Sequence, residues 1–343
     1  MSHIHQLLKQ AYLMLLAMLV PCESKHLLRR QGKADDHIHS FRSYHNYWPI
    51  IQRFVRAYAA AFPSSKSIKY GRSYVPVWLQ QQAQRRLAIT TLKTYRSALN
   101  KLYGIHPGDR DYYILPDRHR ADITRSRGDK PSDRHFSVTN NQDLVNFCRG
   151  SGLRREELSL LRGDDLWSRQ RIESERSRLR TICHPTKAER AMLRALDDTR
   201  LFQEDYYVYV RCGKGGRMRY APVIGPCVAD IVARFQGFAP DAKVWPHIHT
   251  MADIHSFRRD YANFLYKIYA RPIEEIPCDR TAPRTNKPYR SQVYCCRRDL
   301  VGVWLDKRAM LVVSKALGHN RIGIFAQSYY IPIGMPQKAD SEN

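Results

Sequence analysis

The chain is short of acidic residues, with 32 Asp and Glu against 57 Lys and Arg, and its formal net charge is +25. Such an imbalance opposes folding, because like charges repel one another in the compact state. It therefore indicates a polyanionic partner, for which nucleic acid is the commonest candidate and an anionic membrane surface the alternative. A basic amphipathic helix would favour the membrane, and none stands out in the sequence.

Long apolar runs are missing too, so no segment is long enough to span a bilayer. The best candidate for a targeting segment is AYLMLLAMLVPC at 11–22, which has the length of the apolar part of a signal peptide. Lys9 is the only Lys or Arg before it, and no small-x-small cleavage pattern follows it. A buried or partner-binding N-terminal helix is favoured over a signal or anchor, and the expected location is cytoplasmic.

The sequence also lacks the dense, regular cysteine spacing of a disulfide framework. Cys278, Cys295 and Cys296 could hold a metal together with a histidine, but no CxxC or HxxxH pairing supports such a site. We therefore expect reduced, mostly buried thiols, no metal and no cofactor. The eight cysteines are Cys22, Cys148, Cys183, Cys212, Cys227, Cys278, Cys295 and Cys296.

Apolar residues are scarce in one internal segment, PDRHRADITRSRGDKPSDRHFS at 116–137, which is rich in charge, Pro and Gly. This composition is typical of a linker, and its arginines, Arg125 and Arg127 among them, suit contacts with a phosphate backbone. The rest of the chain divides into an N-terminal helical extension at 1–39, a helical domain at 40–115, a larger mixed domain at 138–331 and a short tail at 332–343.

Apolar residues at helical spacing predict two helices in the helical domain. YWPIIQRFVRAYAAAF at 47–62 is stopped by Pro63, and TTLKTYRSALNKLYGI at 90–105 begins with threonine caps. Three cations of the second helix fall away from its apolar stripe, where they could meet phosphates; a solvated face is the alternative. These candidate DNA-binding residues are Lys93, Arg96 and Lys101.

The mixed domain combines helices with one predicted hairpin. Residues 140–166 are helical in two pieces, broken at Gly150–Gly152. In YYVYVRCGKGGRMRYAPV at 206–223, two β-rich segments flank a glycine-containing turn, which is typical of a hairpin. Further helices are predicted at 228–236, 253–270 and 304–317. The predicted fold class is therefore mostly α with a small β-sheet.

Four separate pieces of this domain carry cationic or proton-transfer groups. Arg154, in SGLRREEL, stands at a helix start beside a glycine turn, where backbone donors and a guanidinium both suit a phosphate. Lys214 lies on the hairpin turn, whose sequence is not a phosphate-binding P-loop. His255 and Arg258, in HSFRRDY, share a helical face, and the last piece is SKALGHNRIGIFAQSYY at 314–330. Taken one at a time, each has an ordinary explanation as a surface pair, a turn or a packed tyrosine.

The order of these pieces, G-L-R-x-x-E-L, a hairpin lysine, H-x-x-R, L-G-H and then Tyr, resembles the tyrosine recombinase (phage integrase) family. The likeness extends over roughly residues 75–330, and YCCRRDLVGVWLDKRAMLVVSKALGHNR resembles in particular the integrases of conjugative transposon-like and other mobile elements. It implies a helical DNA core-binding domain at 40–115 and an α+β catalytic domain at 138–331. It also implies a site-specific recombinase that cleaves and rejoins DNA through a 3′-phosphotyrosyl intermediate, without ATP or metal.

The resemblance implies a role for each residue that matches a family motif. Arg154 and Arg258 would donate paired hydrogen bonds to the non-bridging oxygens of the DNA phosphate. A tyrosine hydroxyl would attack the phosphorus, and Lys214 would protonate the leaving 5′ oxygen. His255 would assist proton transfer near the nucleophile, and His319 would hydrogen-bond the phosphate.

The family commonly places its nucleophile nine residues after the histidine of L-G-H, and that position is Ser328 in this chain. Tyr329 follows at ten and Tyr330 at eleven. The mobile-element subgroup tends to use position ten, so Tyr329 is the predicted nucleophile and Tyr330 the alternative. Glu157 and Asp165 match acidic positions of the first motif, and the roles implied for them are structural: holding the first arginine's helix and capping the next element.

Two stretches are longer than a compact family member needs. One, at 168–199, is arginine-rich and could contact DNA or another subunit; a solvated excursion is the alternative. It also contains Lys187, so Lys214 is chosen as the catalytic lysine because it alone stands in a turn with β-like flanks. The other, at 271–300, is rich in Pro and Arg and could reach across DNA or toward a neighbouring subunit.

The partners implied by the resemblance are double-stranded DNA at specific recombination sites, further copies of the chain in a tetramer, and an accessory directionality protein. The protein would be nucleoid-associated when bound to DNA, and no membrane partner is expected. Two alternatives share the same ancestry: a catalytically inactive DNA-binding relative and a type IB-like DNA topoisomerase. The first is disfavoured because every catalytic position holds a competent side chain. A metal-dependent nuclease is disfavoured because no clustered carboxylates indicate a metal site.

Overall fold

The computed structural model describes residues 2–21, 28, 30–32, 37–85, 87–117, 119, 135–214, 216–319 and 321–332. Most of the predicted linker, including Arg125 and Arg127, and nearly all of the predicted tail at 332–343 lie outside these residues. The chain separates into two compact units, Met1–Thr124 and Arg125–Asn343. Helices make up 55% and strands 9% of the structure, which confirms the predicted class of a mostly α protein with a small β-sheet.

The described part of the first unit is mainly helical. Apolar side chains three and four residues apart give each helix a buried face, and these faces form a shared core. Its elements are α1 (His3–Ala17), α2 (Phe41–Ala61), a 3₁₀ helix (Ile68–Tyr74), α3 (Val75–Gln84) and α4 (Ile89–Tyr103).

The apolar N-terminal stretch contributes to this core. Ser2 caps α1, and Leu7, Ala11 and Leu15 lie four residues apart on its buried face. That face packs against α2 and α4. Among the residues that the structure describes, no helix has both the length and the apolar character that crossing a membrane requires.

Both predicted helices of this unit are present, with shifted ends. α2 starts earlier than predicted, at Phe41, because the Ser40 hydroxyl caps it by accepting a hydrogen bond from the Ser43 backbone N–H at 3.1 Å. α4 ends at Tyr103, and Gly104 follows with φ +60°, a left-handed conformation that glycine adopts without strain.

The second unit sets a three-stranded sheet among helices. Its main elements are α5 (Gln142–Ser151), α6 (Arg155–Leu158), β1 (Leu166–Ser168), α7 (Arg169–Arg180), α8 (Lys187–Asp198), β2 (Tyr206–Val210), β3 (Arg219–Pro222), α9 (Val228–Gln236), α10 (Ile254–Tyr269), β4 (Arg280–Thr281), β5 (Pro288–Tyr289), β6 (Val293–Cys295), β7 (Trp304–Asp306), α11 (Lys307–Ala316) and a π-helical turn (Phe325–Tyr329). β1, β2 and β3 are antiparallel and lie in that order, with Tyr209 of β2 opposite Tyr220 of β3. The predicted hairpin at 206–223 is thereby confirmed.

The prediction of a helix at 304–317 is wrong at its start. Trp304–Asp306 form β7, which pairs with β6 in a two-stranded antiparallel sheet. Asp306 ends the strand and caps α11, because its carboxylate accepts from the Arg308 backbone N–H at 2.8 Å. Nε of Arg271 donates to the same buried carboxylate at 2.8 Å, so the acid is paired where strand becomes helix.

The arginine-rich stretch at 168–199 contains a helical hairpin, α7 and α8, between β1 and β2. Ile172, Leu179 and Leu196 bury the inner side of this hairpin in the core of the unit. The stretch is therefore a packed part of the unit, and the alternative of a plain solvated excursion is wrong.

α10 runs between two apolar clusters of the second unit. Ile254 and Phe257, near its start, belong to the cluster around α5 and α9, while Tyr261 and Leu265 belong to the cluster around α11 and the sheet. Arg258 stands between the two clusters and is fully buried, with 0% exposure.

The predicted burial of the cysteines is wrong for most of those described. Cys148 and Cys296 are buried and Cys227 is half-buried, but four others are exposed: Cys183, Cys212, Cys278 and Cys295. These four lie in turns, in a loop and at the end of a short strand. None of the seven described cysteines forms a disulfide bond with another described cysteine.

Candidate active site

The loop between α5 and α6 positions Arg154. Gly152 follows α5 with φ +61°, and a Cβ there would lie 2.3 Å from Cδ1 of Tyr261, so only glycine fits. The next residue, Leu153, is buried. Arg154 is the capping residue immediately before α6, and its backbone N–H donates to Oε2 of Glu157 at 2.8 Å.

A second turn ends α11 and carries the histidine of the L-G-H motif. Gly318 adopts φ +69°, and the backbone N–H of His319 donates to Ser314 O at 2.7 Å. The last carbonyls of a helix have no partner inside it, so those of Ala316 and Leu317 are available to groups from elsewhere in the unit.

Three arginines supply partners for these carbonyls. Nε of Arg219 donates to Ala316 O at 2.9 Å. Leu317 O accepts from Nη2 of Arg154 at 3.2 Å and from Nη2 of Arg258 at 2.6 Å. The C-terminal end of a helix is the negative end of its dipole, so cations are stabilised there. The turn thus brings together the arginines of the first and third sequence motifs.

The predicted nucleophile, Tyr329, lies on this cluster. Nε of Arg258 donates to its hydroxyl oxygen at 3.2 Å, and Nε2 of His319 is also 3.2 Å from that oxygen. Arg258 further donates through Nη1 to Gly152 O, so all three of its nitrogens are hydrogen-bonded within the protein. The structure therefore joins four predicted catalytic residues, Arg154, Arg258, His319 and Tyr329, in one site.

The electrostatics of the site keep His319 neutral at neutral pH. Burial, followed by the positive charges of Arg258, Arg154 and Arg219, lowers the pKa of its imidazole to about 4. A neutral ring protonated on Nδ1 presents a lone pair on Nε2, the atom that faces the Tyr329 hydroxyl. The geometry suits removal of the Tyr329 proton by this ring.

Glu157 is the acid that balances part of the positive charge. Its carboxylate accepts two hydrogen bonds from Arg219, at 2.8 and 2.7 Å, and one from Nη1 of Arg154, at 2.6 Å. Burial alone would raise the pKa of Glu157, but the hydrogen bonds and charge of Arg219, together with the charge of Arg258, hold it well below its usual range. Glu157 is therefore ionised at neutral pH, and it is one negative charge among three arginines.

Asn263 of α10 holds the segment that carries Tyr329. Its Nδ2 donates to Tyr329 O at 2.8 Å, and its Oδ1 accepts from the Ile331 N–H at 3.0 Å. The ring of Tyr330 packs against Phe325, with centroids 5.7 Å apart. The two adjacent tyrosines thus have different surroundings, one polar and charged, the other aromatic.

Two of the predicted catalytic residues stand outside the cluster. Lys214, on the turn between β2 and β3, and His255, in the first turn of α10, are both exposed. Within the described part of the chain, neither side chain has a hydrogen bond or an ion pair with the cluster. The imidazole beside the Tyr329 hydroxyl belongs to His319 and not to His255.

Asp165, the second predicted structural acid, occupies a turn similar to that of Glu157. Its Oδ2 accepts from the Arg162 backbone N–H at 2.9 Å, and its Oδ1 lies 2.8 Å from Nε of Arg211. Each acid therefore accepts a hydrogen bond from the backbone N–H three residues earlier. Each also pairs with an arginine of the β2–β3 hairpin: Asp165 with Arg211, and Glu157 with Arg219.

The predicted DNA-binding residues of α4 differ in their surroundings. Lys93 is exposed and Lys101 is half-buried. Arg96 donates to Tyr113 O at 3.0 Å and lies 4.7 Å from the centre of the Tyr112 ring, so it joins α4 to the segment that follows it. Of the three, Lys93 is the most exposed.

Arg219 and Asn263 are members of the site that the sequence analysis overlooks. The sequence signal for Arg219 is its place in the second β-rich segment of the predicted hairpin. The structure adds that all residues of β3 are buried, and a buried arginine needs a carboxylate or carbonyl partner. Asn263 gives no comparable signal, since asparagine is ordinary on the polar side of a helix.

The site combines a hydroxyl, a neutral imidazole and three arginines around the end of α11. Comparison of the chain with protein-family models and with curated proteins finds no match. The function is therefore inferred from the sequence motifs and from the geometry of the site.

Gly152→Ala is expected to lower the free energy of unfolding of the second unit by about 2–5 kcal/mol. The left-handed φ of +61° costs an alanine about 1–2 kcal/mol, and forcing a Cβ against the Tyr261 ring costs about 1–3 more. Urea unfolding followed by circular dichroism measures the loss. Gly216→Ala is the control, because Gly216 has φ +73° but open space around its Cα, so only the backbone cost applies. Equal losses in the two variants would contradict the tight packing of Gly152.

Proposed function

We propose that this protein is a tyrosine-type site-specific DNA recombinase, an integrase that cuts and rejoins DNA through a covalent 3′-phosphotyrosyl intermediate. One observation carries the proposal: the Tyr329 hydroxyl lies 3.2 Å from both Nε of Arg258 and Nε2 of His319, on a cluster that includes Arg154. A tyrosine that only packs has no need of a buried cation and a neutral imidazole at the same oxygen. The net charge of +25 supports DNA as the substrate.

Each step of strand cleavage has a group of this chain to perform it. His319 takes the Tyr329 proton through Nε2, and the phenolate oxygen attacks the phosphorus of a DNA phosphodiester. The bond from Tyr329 to phosphorus forms as the bond to the 5′ oxygen breaks, and that oxygen takes a proton from Lys214 on its exposed turn. One phosphoester replaces another, so attack by a 5′ hydroxyl on the phosphotyrosine rejoins the strand without ATP.

The arginines would stabilise the negative charge of the transition state. The side chain of Arg154 is 16% exposed. Its Nη1 donates one hydrogen bond to Glu157 and its Nη2 donates one to Leu317 O, so other N–H groups of the guanidinium are left for the non-bridging oxygens. Arg258 donates to the Tyr329 oxygen and stabilises the charge that develops there when the proton leaves.

Covalent trapping tests the proposal. Duplexes that the protein binds are selected from a random-sequence pool and nicked close to the bound site, so that cleavage releases a short strand and the intermediate accumulates. We expect an adduct that survives denaturing electrophoresis and forms in EDTA without ATP. Tight binding with no adduct would indicate the inactive DNA-binding relative, and cleavage that EDTA abolishes would indicate a metal-dependent nuclease.

A second assay separates recombination from relaxation. Two duplexes that share the selected site but differ in length are incubated together, and recombinant strands of hybrid length are expected. Relaxation of a supercoiled plasmid without hybrid strands would indicate a type IB-like topoisomerase instead.

The pH dependence of cleavage follows from the neutral state of His319. Nε2 accepts a proton only while the ring is neutral, and a pKa of about 4 keeps it neutral well below pH 7. We expect the second-order rate constant for adduct formation at limiting DNA, which reports on the free protein, to stay level as the pH falls to about 5 and to drop near 4. Circular dichroism checks that the protein remains folded. A midpoint near the ordinary histidine pKa of about 6.5 would show that a residue other than His319 takes the proton.

α8 presents a basic face that suits the DNA backbone. Lys187, Arg190 and Arg194 are exposed at positions i, i+3 and i+7 of this helix, and within the described residues their side chains form no ion pair. By contrast, Arg180 of α7 is paired with Asp197 at 2.8 Å. The three cations of α8 are therefore the better candidates for contacts with phosphates.

Replacing Lys187, Arg190 and Arg194 together with Gln is expected to reduce the slope of log K against log salt concentration by about 2–3, since each phosphate contact adds about 0.9. Fluorescence anisotropy over a series of salt concentrations gives the slope. Arg180→Gln is the control and should leave it unchanged. The same slope in the triple variant and the wild type would remove α8 from the DNA interface.

A further inference from the structure

The steps proposed for cleavage give Arg219 no task, although it lies at the centre of the contacts and is 7% exposed. It begins β3, at the end of the turn that carries Lys214. Its Nη1 and Nη2 donate to the two oxygens of Glu157, and its Nε donates to Ala316 O. One guanidinium therefore connects the first sequence motif, through Glu157, with the L-G-H motif, through Ala316.

Two glycines close around the same guanidinium. A Cβ on Gly318 would lie 3.0 Å from Cδ of Arg219, and a Cβ on Gly213 would lie 3.1 Å from its Nη1. Contacts this short leave little room for a larger residue at either position. Arg219 thus fills a slot between the turn of Lys214 and the turn of His319.

The two hydrogen bonds from Arg219 to Glu157 also affect how many hydrogen bonds Arg154 forms with the same carboxylate. Because both carboxylate oxygens face the fork of Arg219, Arg154 reaches the carboxylate through Nη1 alone. Without Arg219, the carboxylate, which also accepts from the Arg154 backbone N–H, would have room to accept further bonds from the Arg154 guanidinium and to occupy donors that a phosphate needs. Arg219 therefore keeps part of the Arg154 guanidinium available.

We propose that Arg219 is a positioning residue for strand cleavage, which holds Arg154, the Lys214 turn and the His319 turn in a single arrangement without touching the DNA. The proposal rests on the proposed recombinase activity. It differs from a purely stabilising ion pair, because it makes the geometry of the reacting groups depend on Arg219. The charge of Arg219 also contributes, after burial and after Arg258 and Arg154, to the low pKa of His319.

Two substitutions separate the position of Arg219 from its charge. Arg219→Gln removes both the charge and the fork, and Arg219→Lys keeps the charge without the fork. We expect Arg219→Gln to lower the maximal single-turnover rate of adduct formation about 100-fold, while the dissociation constant for DNA changes less than about threefold. Arg219→Lys should retain about a tenth of the wild-type rate. A wild-type rate in folded Arg219→Gln would overturn the proposal.

A measurement without DNA tests the same residue independently of the activity. The His319 ring signal is assigned by its absence from His319→Gln and is followed by NMR titration of histidine-labelled protein. We expect the pKa of His319 to rise toward its ordinary value in Arg219→Gln and to stay low in Arg219→Lys. Absence of an adduct with the wild type would refute the recombinase activity, whereas an unchanged His319 titration in Arg219→Gln would refute the positioning role.

A third variant covers the case in which Arg219→Gln does not fold, because that change leaves the buried Glu157 without its main partner. Glu157→Gln combined with Arg219→Met removes both charges, and the new amide oxygen can still accept from the Arg154 backbone N–H. A folded double variant that forms the adduct about 100-fold more slowly would support the positioning role. A folded double variant with the wild-type rate would refute it.

Discussion

Tyr329→Phe is expected to abolish adduct formation, with a rate below about one thousandth of the wild-type rate. The substitution removes the hydroxyl that lies 3.2 Å from both Arg258 and His319, and a phenyl ring has no oxygen to attack phosphorus. The ring itself is kept, so folding and DNA affinity should be close to those of the wild type. The trapping assay on a nicked duplex measures the rate, and fluorescence anisotropy measures the affinity in parallel.

Tyr330→Phe is the matched control, because it removes one hydroxyl from the next residue. That ring packs against Phe325, and the packing survives the change. Its rate of adduct formation should therefore stay close to the wild-type value. Loss of the adduct in Tyr330→Phe, with the adduct retained in Tyr329→Phe, would identify Tyr330 as the nucleophile. The cluster around the Tyr329 hydroxyl would then not be the site of attack.

Arg258→Lys is expected to slow adduct formation by a factor of about 10²–10³. A lysine ammonium cannot reproduce the planar fork that reaches Gly152 O, Leu317 O and the Tyr329 oxygen together. Burial lowers the pKa of Arg258 to about 10, which leaves the guanidinium charged at neutral pH, whereas a lysine in the same place loses its proton more readily. Both differences weaken the contact with Tyr329.

Arg259→Lys is the control for this prediction. Arg259 follows Arg258 on α10, where its Nη2 donates to Ser256 Oγ at 3.3 Å, and the described residues show no bond from its side chain to the cluster. Its variant should cleave at close to the wild-type rate. Thermal unfolding of both variants separates a loss of stability from a loss of chemistry. If folded Arg258→Lys cleaves as fast as the wild type, Arg258 has no part in the reaction.

Four members of the cluster are selected in the sequence by the order of their motifs, which resembles that of the tyrosine recombinase family, and two of them also follow a glycine turn. Arg154 follows a glycine turn at a helix start, and His319 follows the glycine that ends α11. Helical spacing places Arg258 on α10. Tyr329 is chosen over Tyr330 because the mobile-element subgroup that the sequence resembles tends to use the tenth position after the histidine of L-G-H. Local patterns of this kind survive in the sequence because a turn or a cap constrains the residues that form it.

The contacts that hold the cluster together cannot be predicted in this way. Leu317 contributes a backbone carbonyl, which every residue has, and Glu157 meets Arg219 from 62 positions away in the sequence. The short strand β7 is missed for a related reason, since three residues of strand run directly into α11. These features depend on tertiary packing. The spacing of apolar residues predicts only the helix or strand in which a residue lies, and not its contacts with other elements.

The most direct test of the account identifies the residue that becomes bonded to DNA. The adduct trapped by the wild-type protein is digested with nuclease and trypsin, and the peptide that carries the nucleotide is fragmented by mass spectrometry. Cleavage after Arg321 and Lys338 gives one peptide, 322–338, that contains Ser328, Tyr329 and Tyr330. The account predicts a phosphate ester on the phenolic oxygen of Tyr329. A nucleotide on Tyr330, on Ser328 or elsewhere in the chain, or a bound duplex with no covalent adduct, would contradict it.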